Sequence, residues 1–521
     1  MPSPPEHTLF YTLTIQALFF TLAVVSIVLI YAWLMCHLGN SSLRHVPGPW
    51  YFKVSSIPLS MYEISCRRND MILDMHKKYG PVVQIAPNEV SVADLEATRQ
   101  IYGTKDRWAK SDYFDHFKGY GRRSIFATKP YEDHRIKRKY TSSFYQAKTI
   151  YKLLEIEEHI KSRSLAVLGQ VHHGGDVDVF SLTSWYALDN ITFLVFGPNH
   201  GTHSVDQTCT ERSILEGLKH QQFIGPLRYR CPWLYNLASD LLQRLSSRLR
   251  YLSADEEFPA WCQKKFFAAL KDAQLNGSHS LVRHLWELKE DGAHDASIDV
   301  PYMASAAEVL DNIDAAEATI AVTATYLIWK LTEAPEWQDK IRQELSALPK
   351  QDNGCPSFAD IDTRVPSLEA CLREVYRMHP SSSGKNERVV PLGGRKLAGV
   401  FVPEHTVVTS SVLALHYDGE VYSDPDRFLP SRWIDRSEEE RKALDAQLIP
   451  FGYGGRTCLG KALATMELKV LIAGLYLEYE SMATSATSVE SMKQCSTHDA
   501  VPRGLKCVVK FRRMKENATL E

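Results

Sequence analysis

The chain has 521 residues, 44% of them hydrophobic and 23% charged, an ordinary balance for a globular protein able to bury a large core. A net charge of -2 argues against nucleic-acid binding as a main task. The ten cysteines are scattered with no C-x-x-C pair, which disfavours a zinc site and fits a reducing compartment. By length alone about three domains would be expected, but the motifs below run from residue 81 to 460 with no obvious linker, so one large domain is expected.

From Leu9 to Cys36 no side chain is charged, a stretch of about 28 residues, long enough to span a hydrocarbon core with some tilt. Residues 1–38 therefore read as a single-pass transmembrane anchor. A secretory signal would open with basic residues, whereas the first eight residues contain Glu6 and no Lys or Arg. Basic residues follow the span, at Arg44 and Lys53, so the positive-inside rule puts the bulk of the chain on the cytosolic side. Residues 39–50 form a connector stiffened by Pro47-Gly48-Pro49, and a folded domain is expected over 51–521.

Within that domain, Lys78 to Val92 alternates apolar residues around Pro87-Asn88-Glu89 and predicts a small hairpin. His134 and Arg138 are four apart and share a helix face, in a basic run whose Arg135 and Lys139 read as a solvated face. Phe223, Tyr229, Trp233 and Tyr235 suit either an apolar ligand pocket or plain core. Ala304 to Lys330 and Leu459 to Glu480 carry long helical periodicity, so the fold should be mainly α with minor β. Glu374 and Arg377 lie three apart on a helix that ends before Pro380; by spacing alone they read as a solvated ion pair. Arg388 falls in a loop from Pro380 to Gly394, and Phe428-Leu-Pro430-Ser-Arg432-Trp433 follows. The Ser and Thr cluster from Ser481 to Thr497 reads as an exposed loop.

The most informative segment is Phe451-Gly-Tyr-Gly454-Gly-Arg456-Thr-Cys458-Leu-Gly460. A buried structural cysteine in a glycine-rich turn is the plain alternative. A thiolate that ligates a haem iron needs backbone N–H groups, little bulk nearby and a cation for a haem propionate. Gly454 and Gly460 would allow close backbone approach and unusual dihedrals, Phe451 would shield the sulfur, and Arg456 would reach a propionate.

Every fixed position of F-x-x-G-x-R-x-C-x-G is present, and the chain resembles the cytochrome P450 family over roughly residues 45 to 510. The resemblance implies haem b, iron protoporphyrin IX, with Cys458 as axial thiolate and metal ligand. It implies that Glu374, Arg377 and Arg432 form a buried network, and that Arg388, His134, Arg138 and Arg456 meet the propionates. It also puts Ala315 among the cofactor-binding positions and Thr319 on the oxygen side of the long central helix.

This chain departs from the family there. Ala316 stands where glycine is usual and Ala318 where an acid directly precedes the threonine. Glu317 is about 100° away around the helix, while Asp314 lies one turn before Ala318 on the same face. Thr319, Glu317 and Asp314 are the candidate catalytic groups, with a solvated or ion-paired reading of the two acids equally open.

The expected activity is that of a haem-thiolate monooxygenase, inserting one oxygen atom from O2 into an apolar small molecule, similar to filamentous-fungal enzymes of secondary metabolism. NADPH-cytochrome P450 reductase would supply electrons in the endoplasmic reticulum membrane, docking near Arg135 and Lys139, with the catalytic domain facing the cytosol. Ala318 motivates an alternative, a haem-thiolate isomerase or dehydratase needing neither reductase nor O2; a non-catalytic haem protein is a third. Segments 105–127, 193–235 and 381–387 are expected to line the substrate pocket without revealing the substrate.

Overall fold

The computed structural model describes residues 6–38, 41–172, 174–237, 254–276, 279–290, 302–351, 354–434 and 436–514. The uncharged stretch forms α1 (Glu6–Leu38), whose Gln16–Trp33 span is long and apolar enough to cross a bilayer and has none of its length buried against the protein. Residues 1–5 and 39–40 of the expected anchor and connector lie outside the described residues. The rest of the connector is pinned to the folded part. Leu43 and Val46 are buried, the Pro47 carbonyl accepts the Gln84 N–H at 2.8 Å, and Lys53 Nζ donates to the Arg44 and Val46 carbonyls at 3.0 and 2.7 Å.

Two short helices, α2 (Ile57–Ile64) and α3 (Arg68–Tyr79), lead into the expected hairpin, β1 (Val82–Ala86) and β2 (Glu89–Val92). The two strands pair antiparallel from Val82 opposite Val92 to a shift in register between Gln84 and Ala86. Strand β3 (Ala109–Lys110) precedes α4 (Tyr131–Thr141), and β4 (Asp176–Asp178) leads into α5 (Val179–Phe196). Then come α6 (Thr210–Gln221), the short α7 (Gly225–Arg230), the long α8 (Met303–Glu333) and α9 (Pro366–Met378). Strands β5 (Arg388–Val389), β6 (Arg395–Leu397), β7 (Val400–Val402) and β8 (Val407–Ser410) follow, then α10 (Lys461–Glu478), β9 (Tyr479–Ala483) and β10 (Val508–Arg513).

A five-stranded sheet has the order β1-β2-β8-β5-β3, with β2 and β8 parallel. A three-stranded sheet, β4-β10-β9, and the β6-β7 hairpin complete the strands among the described residues. The expected mainly α fold with minor β is what forms. Helices α5 and α10 are apolar nearly all round because they run through the core, and α8 packs on α5 where small residues permit close approach. There Thr183 Oγ1 donates to the Ala321 carbonyl at 3.2 Å and lies 3.1 Å from Thr325 Oγ1.

Glu374 on α9 is fully buried and joins that helix to the segment from Leu429 to Trp433. Arg377 donates to it from Nε at 3.1 Å and Nη2 at 2.8 Å, Arg432 from Nε at 3.1 Å, Trp433 from Nε1 at 2.9 Å and the Leu429 N–H at 3.1 Å. One carboxylate thus receives five donors, so the solvated-pair alternative does not hold. Glu374→Gln leaves two buried guanidinium groups without their anion and should cost about 3–5 kcal/mol in urea unfolding. Glu438→Gln, at the exposed Lys442 pair, should change stability by about 0.5 kcal/mol or less.

Candidate active site

The Cys458 loop is built by its backbone. The Cys458 N–H donates to the Phe451 carbonyl at 2.9 Å, and the Thr457 hydroxyl and N–H both reach the Gly454 carbonyl, at 2.6 and 3.1 Å. Gly454 has φ +72, and a Cβ there would lie 2.1 Å from the Tyr102 carbonyl oxygen, so only glycine fits. Gly460 differs from expectation. Its φ of -77 suits any residue, and a Cβ would meet only Cys458 Sγ, at 3.9 Å. What its small size provides is room beside the sulfur. The Phe451 ring packs edge-on against Tyr376 at 5.1 Å.

Cys458 is the exposed cysteine among those described, open to the interior of the site and surrounded by protein. Burial pushes its thiol up, while N–H groups of Gly460 and Lys461 and the charge of Arg138 pull it down. These are the groups that hold a thiolate once a metal takes the proton's place.

Around this loop the fold collects basic groups from four parts of the chain. Arg456 anchors itself through Nη1 and Nη2 to the Thr128 and Lys129 carbonyls, both at 2.8 Å, and its buried Nε has no acceptor among the described residues. His134 is buried on α4 one turn from Arg138. Arg388 on β5 lies directly opposite Lys110 on β3. Lys110, which sequence reading missed, sits 4.0 and 4.1 Å over the Phe114 and Phe126 rings. Only tertiary pairing brings it here, so no local spacing could have flagged it.

These groups repel one another. Burial, then Arg456, Lys110, Arg138 and Arg388, hold His134 down to about 2. Burial lowers Arg388 to about 10, and burial with Arg388 lowers Arg456 to about 9. None of the five forms an ion pair among the described residues. Like charges opposed across a strand pair are unfavourable by themselves, and the two propionates of a haem supply the missing negative charge. The residues present therefore fit the group.

On α8 the candidate catalytic residues separate. The Thr319 hydroxyl donates to the Ala315 carbonyl at 2.8 Å, leaving its oxygen free to accept, and Ala315 is open to the site. Asp314 also opens into the cavity; burial and the nearby Asp499 raise it to about 7. Glu317 is buried toward α5, where Ser184 donates to it, and burial raises it to about 8. It therefore does not share a face with Thr319 but stands behind Asp314.

A cavity of about 310 Å³ runs from α8 to α3. Parts of the expected lining segments are there, Tyr113 to Gly119, several residues from Leu218 to Tyr235, and Lys385. Tyr229 and Tyr235 line it, whereas Trp233 is exposed on the outer surface. Arg68, Phe258 and Pro259 line it unforeseen. The Ser481 to Thr497 segment is the expected exposed loop only in its middle, where Ser485, Ser488 and Glu490 are exposed, and its two ends are a correction. Ser481, Met492, Cys495, Ser496 and Thr497 are buried, and Ser496 to Asp499 form a cavity wall. Their small polar side chains are satisfied internally, Ser481 Oγ by Tyr476 and Thr332 and Ser496 Oγ by the Asn69 N–H, which composition alone could not show.

An open thiol on a glycine-bearing loop, facing a surplus of buried cations and a helix with an alcohol and acids, defines a haem-thiolate protein. The chain belongs to the cytochrome P450 family, whose description, Cytochrome P450, matches residues 47–496. It is 34% identical over 481 residues to the cytochrome P450 monooxygenase FGM1 of Gibberella zeae, covering 91% of this chain and 93% of that one. It is 29% identical over 452 residues to a cytochrome P450 monooxygenase of Aspergillus terreus, covering 84% and 90%. With mpaDE of Penicillium brevicompactum it shares 27% over 473 residues, 84% of this chain but 52% of that one. The protein is accordingly an oxidoreductase of the P450 monooxygenase type. Cys458→Ser should abolish the red-shifted Soret band of the CO-bound ferrous protein; a retained band would mean that another cysteine is the ligand.

Proposed function

We propose that this protein is a monooxygenase anchored in the endoplasmic reticulum membrane, inserting one atom of O2 into a small molecule with an apolar body in fungal secondary metabolism. The observation that carries the reading is the open Cys458 thiol on its N–H-lined loop beside five basic groups that form no ion pair among the described residues. Haem b held by Cys458 supplies reductive activation of O2, with electrons from NADPH-cytochrome P450 reductase. Arg388, Arg456, His134, Arg138 and Lys110 hold its propionates.

The protein's own part in the chemistry is proton supply. The Thr319 hydroxyl donates its hydrogen bond to the Ala315 carbonyl, so its oxygen can accept from a water and fix that water's orientation. Asp314, raised to about 7, is largely protonated just below neutral pH and can donate into the cavity; Glu317, at about 8, can reprotonate it. This replaces the acid lost at Ala318. The fungal origin of the similar P450 monooxygenases supports the pathway assignment, and the exposed apolar residues Trp50, Ile57, Met61, Trp233 and Leu237 support a membrane-facing side beside α1.

The decisive measurement is NADPH consumed per product formed. Thr319→Ala should keep haem and substrate binding but lower the product share by up to about 10²-fold, the reducing equivalents leaving as hydrogen peroxide or water. Because both acids act in their protonated forms, coupling should fall as pH rises through about 7 to 8, and Asp314→Asn should flatten that profile. Full product formation without reductase, NADPH or O2 would overturn the reading in favour of the isomerase or dehydratase. Deleting residues 1–38 should release the domain from carbonate-washed membranes while it keeps the CO-bound Soret band; firm retention would contradict the single anchor.

A further inference from the structure

The cavity carries charge unevenly, and at its α3 end lies a guanidinium that the protein leaves incomplete. Arg68 lines the cavity with 3% of its surface exposed. Its Nη1 donates to Asn69 Oδ1 at 3.3 Å, but its buried Nε and Nη2 have no hydrogen-bond acceptor among the described residues. Leaving such donors unmet costs about 1–3 kcal/mol, more for a charged group.

Glu63 does not repair this. It is 3.6 Å from Arg68 Nε and is held by others, Arg230 through Nε at 2.8 Å and Nη2 at 3.1 Å, and Lys385 Nζ at 2.8 Å. Burial pushes Glu63 up, but Lys385, Arg230 and Arg68 hold it at about 2, so it is one anion facing three cations. Arg230 and Lys385 each have a second carboxylate, Glu89 at 3.3 Å and Glu387 at 3.4 Å. Arg68 has none among the described residues. Its two open N–H groups lie on the same edge of the guanidinium, the edge that pairs with both oxygens of a carboxylate.

The opposite end is lined by carboxyl groups instead. Asp311 and Asp314 enter from α8, and Asp499 lies close enough to Asp314 to push its carboxyl up. Between the ends stand Tyr113 and Tyr229, edge to face at 5.4 Å, with Lys385 Nζ 5.4 and 4.7 Å from their ring centres. The α8 end offers an anionic group only carboxyl groups and no cation to pair with, Arg68 receives it at α3, and aromatic walls suit the apolar body between.

We propose that the substrate carries a carboxylate that pairs with Arg68, directing its apolar body toward α8. The proposal rests on reading the cavity as the substrate site of a monooxygenase. It is tested with the full-length holoprotein by calorimetric titration and by the haem difference spectrum, using an ω-phenyl decanoic acid and its methyl ester, which share one apolar body. The acid should bind about tenfold or more tightly than the ester, as expected of a desolvated charge-assisted pair. Arg68→Gln should remove that preference and Arg68→Lys should reduce it, since an ammonium cannot pair with both oxygens in the same way. Equal or weaker binding of the acid, no binding of it at all, or a preference that survives Arg68→Gln would overturn the proposal. Should Arg68→Gln fail to take up haem, a preference left at full size by Arg68→Lys would overturn it instead. NADPH-dependent oxidation without an acid preference would sink this assignment alone. An acid preference by calorimetry without NADPH-dependent oxidation would sink the monooxygenase reading and leave Arg68 in place.

Discussion

Lys110 and Arg388 face each other across paired strands with Arg456 and His134 alongside, and their mutual repulsion is a cost the folded chain carries until negative charge sits among them. Burial raises that cost, because a low-dielectric interior strengthens repulsion and withholds the water that would screen it. An anionic haem bound to the folded state and not to the unfolded one offsets it, so cofactor uptake and stability become one linked quantity. The thiolate completes the pattern from the other side, with the N–H groups of Gly460 and Lys461 oriented to hold it. The long helices and the Glu374 network keep these groups in register.

What could be read from the sequence was what lies close together along the chain. The Cys458 loop declares itself in ten residues, and Glu374, Arg377 and Arg432 follow motifs of fixed spacing. The helical or alternating periods of α8, α10 and the β1-β2 hairpin are likewise local. Lys110 and Arg68 escaped because each acquires its meaning from a partner hundreds of residues away, Arg388 for one and Lys385, beside Glu63, for the other. The wall from Ser496 to Asp499 escaped for a related reason. Serine and threonine look like loop residues until tertiary contacts satisfy their hydroxyls. Gly460 was read as a strained position because glycine often is one; its backbone is ordinary and its value lies in the space beside the sulfur.

The residues proposed to hold the cofactor and those that line the cavity overlap in segment near Lys110 and Arg388, where Tyr113 and Lys385 line the cavity, and otherwise come from different parts of the chain. The first set lies at positions 110, 134, 138, 388, 456 and 458, and the second is drawn from α3, the Tyr113 to Gly119 stretch, the α6 to α7 region and Ser496 to Asp499. Asp311 and Asp314 on α8 are where the two meet. Changes at α3 and in the α6 to α7 region can therefore alter the cavity far along the chain from the basic cluster, whereas changes at Tyr113, Lys385 or α8 lie close to it.

The connector after α1 has a consequence for how the protein sits on a bilayer. Leu43 and Val46 are buried, the Pro47 carbonyl binds it to β1 through the Gln84 N–H, and Lys53 closes on the Arg44 and Val46 carbonyls. A free linker of that length would let the globular part roll over the lipid surface and sample every heading. A pinned one hands the direction of the span to the sheet as a mechanical constraint. Were α1 to stand upright in a membrane, this pinning would restrict how the domain rolls, and the flank with Trp50, Ile57 and Met61 would be turned to the lipid. Apolar compounds dissolved in that lipid then meet one constant side of the protein, and two-dimensional diffusion delivers them to it.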